Sequence, residues 1–474
     1  MNHRRFLKNT LMKLERLQHT CVAALSLLTA LSLNAAELPN ILIISVDDMG
    51  WGQPNCYGGK LAPTPHIDAL AAGGVRFTDA YASSCICSPS RVGLMTGRYP
   101  ARTGHDALTV PNKPESQLLV AETTIAQRLK KLGYATAIVG KWHLGTDAEH
   151  LPAARGFDFS YGSTSNVSEG RDGDRYYEGD HLIPDPVKDF ITAPVYQKKA
   201  LEFLEANRKK PWFLYLAENN VHGPTVASES YYKRFADMTP KAKQRYAAVI
   251  SEVDDAIGGI MRKLRELDLE ENTLVFFLSD NGKSNPFGEV GDLRGEKWTT
   301  WEGGIRMPFI VQWKGRIPAG KVTQEPVIQL DVFPTAIAAA GGDLPPEWKL
   351  DGENLLPLLE GKVEKLPSRT LYWRFGPQYA IRQGDWKVVK AAVDMKPMLV
   401  NLASDEGEKV DLSARYPERM TDLHNRWDRW DAAMIPPRWE DRRWDGLEAN
   451  ARRKAQQDAT RKKRLNPSKK ESGR

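Results

Sequence analysis

Apolar residues fall into two recurring patterns along this chain, and their alternation predicts its architecture. One pattern is a short unbroken run, rich in β-branched side chains and closed by polar residues, as at 39–46, 135–139, 211–217, 273–279 and 309–313. Such a run has no polar face, so it predicts a strand buried on both sides, as in a parallel sheet covered by helices. The other pattern repeats at helical spacing: Tyr246, Val249, Ile250, Val253, Ile257, Ile260, Met261 and Leu264 predict a long helix over 244–267 that packs on the sheet. Further helices are predicted at 121–133, ending at Gly133, and around 331–340. Residues 63–83 read as a short helix, a Gly-rich stop and a strand.

From about Arg369 the texture changes. Short β-like pieces at 371–375, 379–382, 386–391 and 398–402, separated by turn signals, predict an antiparallel sheet, and a helix follows over 417–433. The expected fold is therefore α/β: a large central, mostly parallel sheet flanked by helices over 37–367, then a smaller C-terminal α+β subdomain with an antiparallel sheet over 368–435. Residues 160–190, rich in Gly, Asp, Tyr and Ser and without periodicity, read as a substrate-facing loop region.

Length and composition fit this picture, since 474 residues at 41% hydrophobic content can bury a large core. The formal charge of +6 is misleading as a sum. Ten Lys or Arg against two acidic residues lie in 451–474, and five against one lie in 1–36, which leaves the body mildly acidic. No basic face interleaved with aromatics exists to suggest nucleic acid, and the Lys/Arg-rich stretch over 436–474 reads as a disordered tail. At the other end, Arg4, Arg5, Lys8, Lys13 and Arg16 precede an apolar run from Cys21 to Leu33 that closes in Asn34-Ala35-Ala36. That order is a signal peptide cut after Ala36, with Met12 as a second candidate start, and the run is too short for a stable membrane span. The expected location is periplasmic or extracellular. Of the four cysteines, Cys21 leaves with the leader; Cys56 and Cys85 are left to pair with each other or to stay as free thiols.

The candidate chemistry gathers at strand ends. Asp47-Asp48 follow the first run, where α/β proteins place their ligands, and two adjacent carboxylates repel unless a cation lies between them. Asp280-Asn281 repeat the arrangement after 273–279. Together they make a hard-oxygen cage suited to Ca²⁺, or less well to Mg²⁺. Lys141 and His143, two residues apart after 135–139, pair a fixed cation with a proton carrier on one side of an extended segment. His222 lies in the loop after 211–217, where a structural role is the alternative. Cys87-Ser88-Pro89-Ser90-Arg91 reads as a nucleophile at a helix start, with Ser88 as cap, Pro89 in the first turn and Gly97 at the exit; Arg91 lies one turn on, over the same anion-favouring end. His105 reads as a surface loop histidine, and His66 is given no chemistry.

The string from Cys87 to Arg98 resembles the signature of the formylglycine-dependent sulfatases, C-x-P-S-R-x-x-L-x-T-G-R, at every specified position. The same family's hallmarks match at Asp47-Asp48-Met49-Gly50-Trp51-Gly52, at Gly140-Lys141-Trp142-His143-Leu144-Gly145, at Ser279-Asp280-Asn281-Gly282 and from Leu293 to Pro308, in the family's order. Gln53 departs from the Asp often found there, and His66 from the usual Asn. The resemblance implies an alkaline phosphatase-like fold and sulfate-ester hydrolysis, with Cys87 oxidised by a formylglycine-generating maturation enzyme to an aldehyde whose hydrate attacks sulfur. It further implies a metal held by Asp47, Asp48, residue 87, Asp280 and Asn281. Arg91, Lys141 and Lys297 would stabilise the sulfate oxygens, His222 would protonate the leaving alcohol and His143 would take the second hydroxyl proton. A sulfated polysaccharide or oligosaccharide is the expected substrate, and small aryl sulfates are also expected to turn over. The alternatives are a phosphonate or phosphodiester hydrolase of the same superfamily and a non-catalytic sulfated-glycan-binding protein.

Overall fold

The computed structural model describes residues 38–110, 113–165, 176–183, 191–441 and 443–446. The leader expected at 1–36, part of the 160–190 loop region and residues 447–474 of the expected tail lie outside the described residues. In chain order the strands are Asn40–Val46 (β1), Val75–Phe77 (β2), Ala80–Tyr81 (β3), Ala135–Gly140 (β4), Phe159–Ser163 (β5), Tyr176–Glu178 (β6), His181–Ile183 (β7), Trp212–Glu218 (β8), Thr273–Ser279 (β9), Phe309–Gln312 (β10), Lys321–Thr323 (β11), Val327–Ile328 (β12), Thr370–Phe375 (β13), Gln378–Gln383 (β14), Trp386–Lys390 (β15) and Met398–Asn401 (β16).

Ten of these form one sheet in the order β11-β2-β10-β9-β1-β8-β4-β5-β6-β7. Its centre, β9-β1-β8-β4-β5, is parallel, as the unbroken apolar runs predict. Antiparallel pairs flank it, β10 with β9 on one side and β6 with β5 on the other. Alternate side chains of β1 feed two separate core layers: Ile41 and Ile43 face one, Leu42, Ile44 and Val46 the other. The second layer is closed by the long helix, here Lys241–Glu266, through Tyr246, Val249, Ile250, Val253, Ile257, Ile260 and Leu264. Each such side chain contributes about 1.5–3 kcal/mol on burial. The first layer holds Val92, Leu94 and Met95 of the helix Cys87–Thr96 and much of the helix Val332–Ala339.

The helix expected at 121–133 is shorter, Ile125–Lys131, because a reciprocal cap fixes its start: Gln127 N–H donates to Thr124 Oγ1 (3.1 Å) and Thr124 N–H to Gln127 Oε1 (2.9 Å).

The C-terminal strands form the expected antiparallel sheet, β13-β14-β15-β16. One face, with Ile381, Val388 and Leu399, lies under Leu423 and Trp427 of the helix Pro417–Ala432. The other, with Leu371, Trp373, Phe375 and Val389, packs against Tyr81, Ile86, Tyr99, Trp301 and Ile305. Ile86 immediately precedes Cys87, so this sheet buttresses the start of the helix Cys87–Thr96.

Three expectations are corrected. The chain does not leave the body at Pro436: Ile435 N–H donates to Ala101 O (3.1 Å), Arg438 N–H to Gly104 O (3.0 Å) and Trp439 Nε1 to Leu108 O (3.0 Å). This returning strap covers His105, which is therefore buried and not on the surface, with Nε2 3.1 Å from Thr109 Oγ1 and its ring edge-on to Trp439. Ser88 does not cap its helix; Cys87 is already helical, and Ser88 Oγ accepts from Thr109 N–H at 3.0 Å. Cys56 and Cys85 are free thiols in different core layers. Among the described residues no helix is long and apolar enough to cross a membrane.

Candidate active site

Parallel registry sets the site. Val46 pairs with Glu218 on one side and Ser279 on the other, and Gly140 lies opposite Ala217, so β1, β4, β8 and β9 end together at one edge of the sheet. The segments that follow, Asp47-Asp48, Lys141–His143, Asn219–His222 and Asp280-Asn281, emerge side by side at their carboxyl ends. The helix Cys87–Thr96 points its N-terminus into the same space.

Oxygens of Asp47, Asp48 and Asp280 and the sulfur of Cys87 all lie within 4.8 Å of one another, and all four residues are buried. Cys87 Sγ is 3.3 Å from Asp47 Oδ1 and 3.8 Å from Asp48 Oδ1. Cations surround the carboxylates. Arg91 donates to Asp280 Oδ2 through Nε (3.2 Å) and Nη2 (2.9 Å), Lys141 Nζ binds Asp47 Oδ2, and Lys297 Nζ lies 2.7 Å from Asp48 Oδ1 and 3.0 Å from Cys87 Sγ. Asn281 donates to Asp48 Oδ1 (2.7 Å), whereas its buried amide oxygen has no hydrogen-bond partner among the described residues. Three crowded carboxylates and an unused buried amide oxygen are the donor set of a hard divalent cation, and these residues fit one.

The charges divide the carboxylates. Burial first, then Asp280 and Asp48, push Asp47 up to about 7 against the pull of Lys141 and Arg91. Burial also opposes ionisation of Asp48, but Lys297, His222 and Lys141 outweigh it and hold its carboxyl well below the usual range. Asp280 is likewise lowered by Arg91 and Lys141 in spite of burial. Burial and Asp47 push the Cys87 thiol well above its ordinary value, so the unmodified side chain is a protonated, weakly nucleophilic thiol.

The two histidines are held differently. His143 is buried, with Nδ1 lacking a hydrogen-bond partner among the described residues, and burial together with Lys141, Arg91 and Lys297 keeps it neutral. Its backbone is left-handed (φ 60°), so the chain turns after Lys141 and does not stay extended as expected. His222 shares Nδ1 with Gly223 O (2.6 Å), which places its proton there, and turns Nε2 toward Asp48 Oδ2 at 3.6 Å. Burial lowers His222 to about 4, with Asp48 pulling the other way.

The residues that the resemblance assigned to the site, Asp47, Asp48, Cys87, Arg91, Lys141, His143, His222, Asp280, Asn281 and Lys297, thus converge here, and two others join them. Tyr215, on β8, accepts from Arg91 Nη1 (3.1 Å), and Ser284 Oγ donates to Asp48 Oδ2. Tyr215 sits inside an apolar strand run and Ser284 in a polar loop, so neither carried a signal. Gln53 pairs with Glu289 through both amide atoms (3.0 and 3.1 Å), which is a loop contact.

The Sulfatase family model matches residues 39–342, and one described as N-sulphoglucosamine sulphohydrolase, C-terminal, matches residues 294–426. The chain is 32% identical to N-acetylgalactosamine-6-sulfatase of Homo sapiens over 465 residues, covering 85% of this chain and 87% of that protein. Ps i-CgsB in complex with k-i-k-neocarrahexaose is similar in structure, with a TM-score of 0.78 and 29% identity over 85% of this chain and 95% of its own. The PsFucS1 sulfatase from Pseudoalteromonas sp. gives a TM-score of 0.73 at 28% identity, covering 86% of this chain and 93% of its own.

Proposed function

This chain belongs to the sulfatase family and is a sulfuric ester hydrolase, and from that premise we propose that it acts on a sulfated carbohydrate through a formylglycine made from Cys87. Asp47, Asp48, Asp280 and Asn281, with residue 87, would hold Ca²⁺ in preference to Mg²⁺. When present, the cation supplies positive charge at the sulfate oxygens and the hydrated aldehyde supplies an oxygen nucleophile with a second hydroxyl.

The chain's own residues do the rest. Arg91, Lys141 and Lys297 receive the anionic ester and stabilise the charge that develops on its oxygens. Lys297, 3.0 Å from Cys87 Sγ, lies beside the nucleophile itself. His222, which takes up a second proton at Nε2 when the anionic ester binds, gives that proton to the departing alkoxide, and Asp48 stabilises the cationic form it passes through. His143, held neutral by burial and the neighbouring cations, takes the proton of the second hydroxyl, so that sulfate is expelled.

The observation that carries this reading is the convergence within 4.8 Å of three carboxylates and the Cys87 sulfur, a thiol whose ionisation burial and Asp47 disfavour. A thiol in that state is a poor nucleophile, which gives its oxidation a purpose. Carbohydrate as substrate class is supported by N-acetylgalactosamine-6-sulfatase and by the neocarrahexaose-bound neighbour. Export is supported by the charged, apolar and small-residue order of 1–36.

The test is the mass of the peptide carrying residue 87, from protein matured in its host, paired with sulfate release from sulfated glycans, aryl sulfates and phosphonate analogues, with and without a chelator. An aldehyde at 87 and chelator-sensitive release favouring sulfated glycans is the expected result. An unmodified thiol with no turnover would sink the mechanism, and preferential phosphonate cleavage the substrate class.

A further inference from the structure

Lys297 reaches Asp48 and residue 87 from a loop, and the residue that follows it has an unusual backbone. Trp298 has φ 76°, in the left-handed region that a bulky side chain rarely occupies. Such a conformation persists only where the surroundings impose it, and here both its backbone polar groups are tied. Trp298 N–H donates to Cys85 O (3.1 Å), two residues before the nucleophile. Trp298 O accepts from Gln378 Nε2 (3.1 Å), on β14 of the C-terminal sheet.

Gln378 is fully buried, and its Nε2 also donates to Trp444 O (3.0 Å) in the returning strap. Both partners are carbonyls, so the amide orientation is fixed: the reverse would set Oε1 against two acceptors. Oε1 itself is buried with no hydrogen-bond partner among the described residues, a cost accepted to keep the two donors where they are. The strap adds a second restraint, since the Arg443 guanidinium lies 4.0 Å from the centre of the Trp298 ring.

We infer that Gln378 is a positioning residue for the hydrolysis: it pins Trp298 in its strained conformation and thereby aims the Lys297 ammonium at residue 87. The C-terminal sheet then completes the active site without touching substrate. This rests on the role given to Lys297 above.

A double-mutant cycle on the matured enzyme, with kcat and KM for 4-methylumbelliferyl sulfate and a melting temperature for every variant, tests it. Lys297→Ala should lower kcat/KM by about 1000-fold, a loss of charge stabilisation at the reacting oxygens. Gln378→Met, similar in shape but without donors, should lower it about 10- to 100-fold, the effect of a displaced catalytic group. In the Lys297→Ala background the same change should cost little more activity, while its shift in melting temperature persists. If Gln378→Met is instead as costly without Lys297 as with it, or leaves the folded enzyme fully active, the inference is overturned. A near-normal Lys297→Ala variant would sink the role of Lys297 itself, and the role of Gln378 with it. Should Gln378→Met not fold, Gln378→Glu, which keeps the shape and loses the amide donors, carries the same comparison.

Discussion

His143 and His222 are both neutral in the free site, and only one of them is suited to lose that state when substrate arrives. Burial and the cations Lys141, Arg91 and Lys297 hold His143 well below its ordinary value, so it stays a proton acceptor. His222 has Asp48 3.6 Å away, and the negative charge of a bound sulfate ester would raise its proton affinity further from about 4. If it is the acid for the leaving group, its removal should matter in proportion to how poor that group is. His222→Ala is expected to lower kcat about 100- to 10,000-fold for sugar sulfates. Far less should be lost for a nitrophenyl sulfate, whose phenolate leaves without help. Equal losses for both substrates would remove His222 from that role.

At the scale of elements, the helix Cys87–Thr96 is held by its length and by what it packs on. Gly97, at φ 66°, ends it in the left-handed conformation that glycine adopts without strain. Gly93 lies so close to its neighbours that an added methyl would overlap Ser83 Oγ and Leu330 Cδ2. Gly93→Ala should therefore push the helix away from Ser83 and Leu330, with about 1–3 kcal/mol of stability lost in chemical denaturation and a fall in kcat larger than the change in KM. A different helix carries a pH dependence. Asp254, on the long helix, accepts from His66 N–H (3.1 Å) and Ile67 N–H (2.9 Å) at the start of the helix Pro65–Ala72. Burial overrides those two donors and pushes its carboxyl from 3.8 up to about 7. The folded state then binds this proton more tightly than the unfolded chain. Its contribution, on the order of a few kcal/mol, is full below about pH 4 and is lost as pH rises through about 7. Denaturant midpoints of Asp254→Asn measured from pH 4 to 7.5 should fall less steeply than those of the wild type; parallel curves would refute the assignment.

At the scale of the whole molecule, the C-terminal sheet is joined to the rest of the chain by buried charge as well as by apolar contact. Lys387 of β15, fully buried, binds Glu302 and Glu408 (both 2.8 Å), and Glu302 in turn binds Arg306 (2.6 Å) and Tyr81 (2.7 Å). Burial raises Glu408 to about 7, whereas Lys387 and Arg306 outweigh burial at Glu302 and hold it well below its usual range. Glu302 and Arg306 belong to the Trp-Glu-Gly-Gly-Ile-Arg stretch, which ties the C-terminal sheet to Tyr81 on β3. Lys387→Met removes the cation and leaves two buried carboxyls facing each other. It should cost about 3–5 kcal/mol, read as a lower denaturant midpoint. A variant as stable as the wild type would show that the joint is held by apolar packing alone.

The sequence by itself determined the parallel centre of the sheet, because strands buried on both faces need unbroken apolar runs, and the long helix, because its apolar stripe has one period. It also determined the chemistry of the strand ends, since Asp47, Asp48, Asp280, Asn281, Lys141, His143 and His222 follow their runs directly and parallel registry brings such positions together. Only the tertiary structure decided what depended on contacts between distant segments. The strap at 435–446 reads as polar tail until its backbone is seen bonded to Ala101 and Gly104. His105 looks exposed until that strap covers it, and Ser88 looks like a cap until Thr109 N–H claims its hydroxyl. Tyr215, Ser284 and Gln378 gave no signal, because a residue's part in a site is set by which partners the folded chain carries to it.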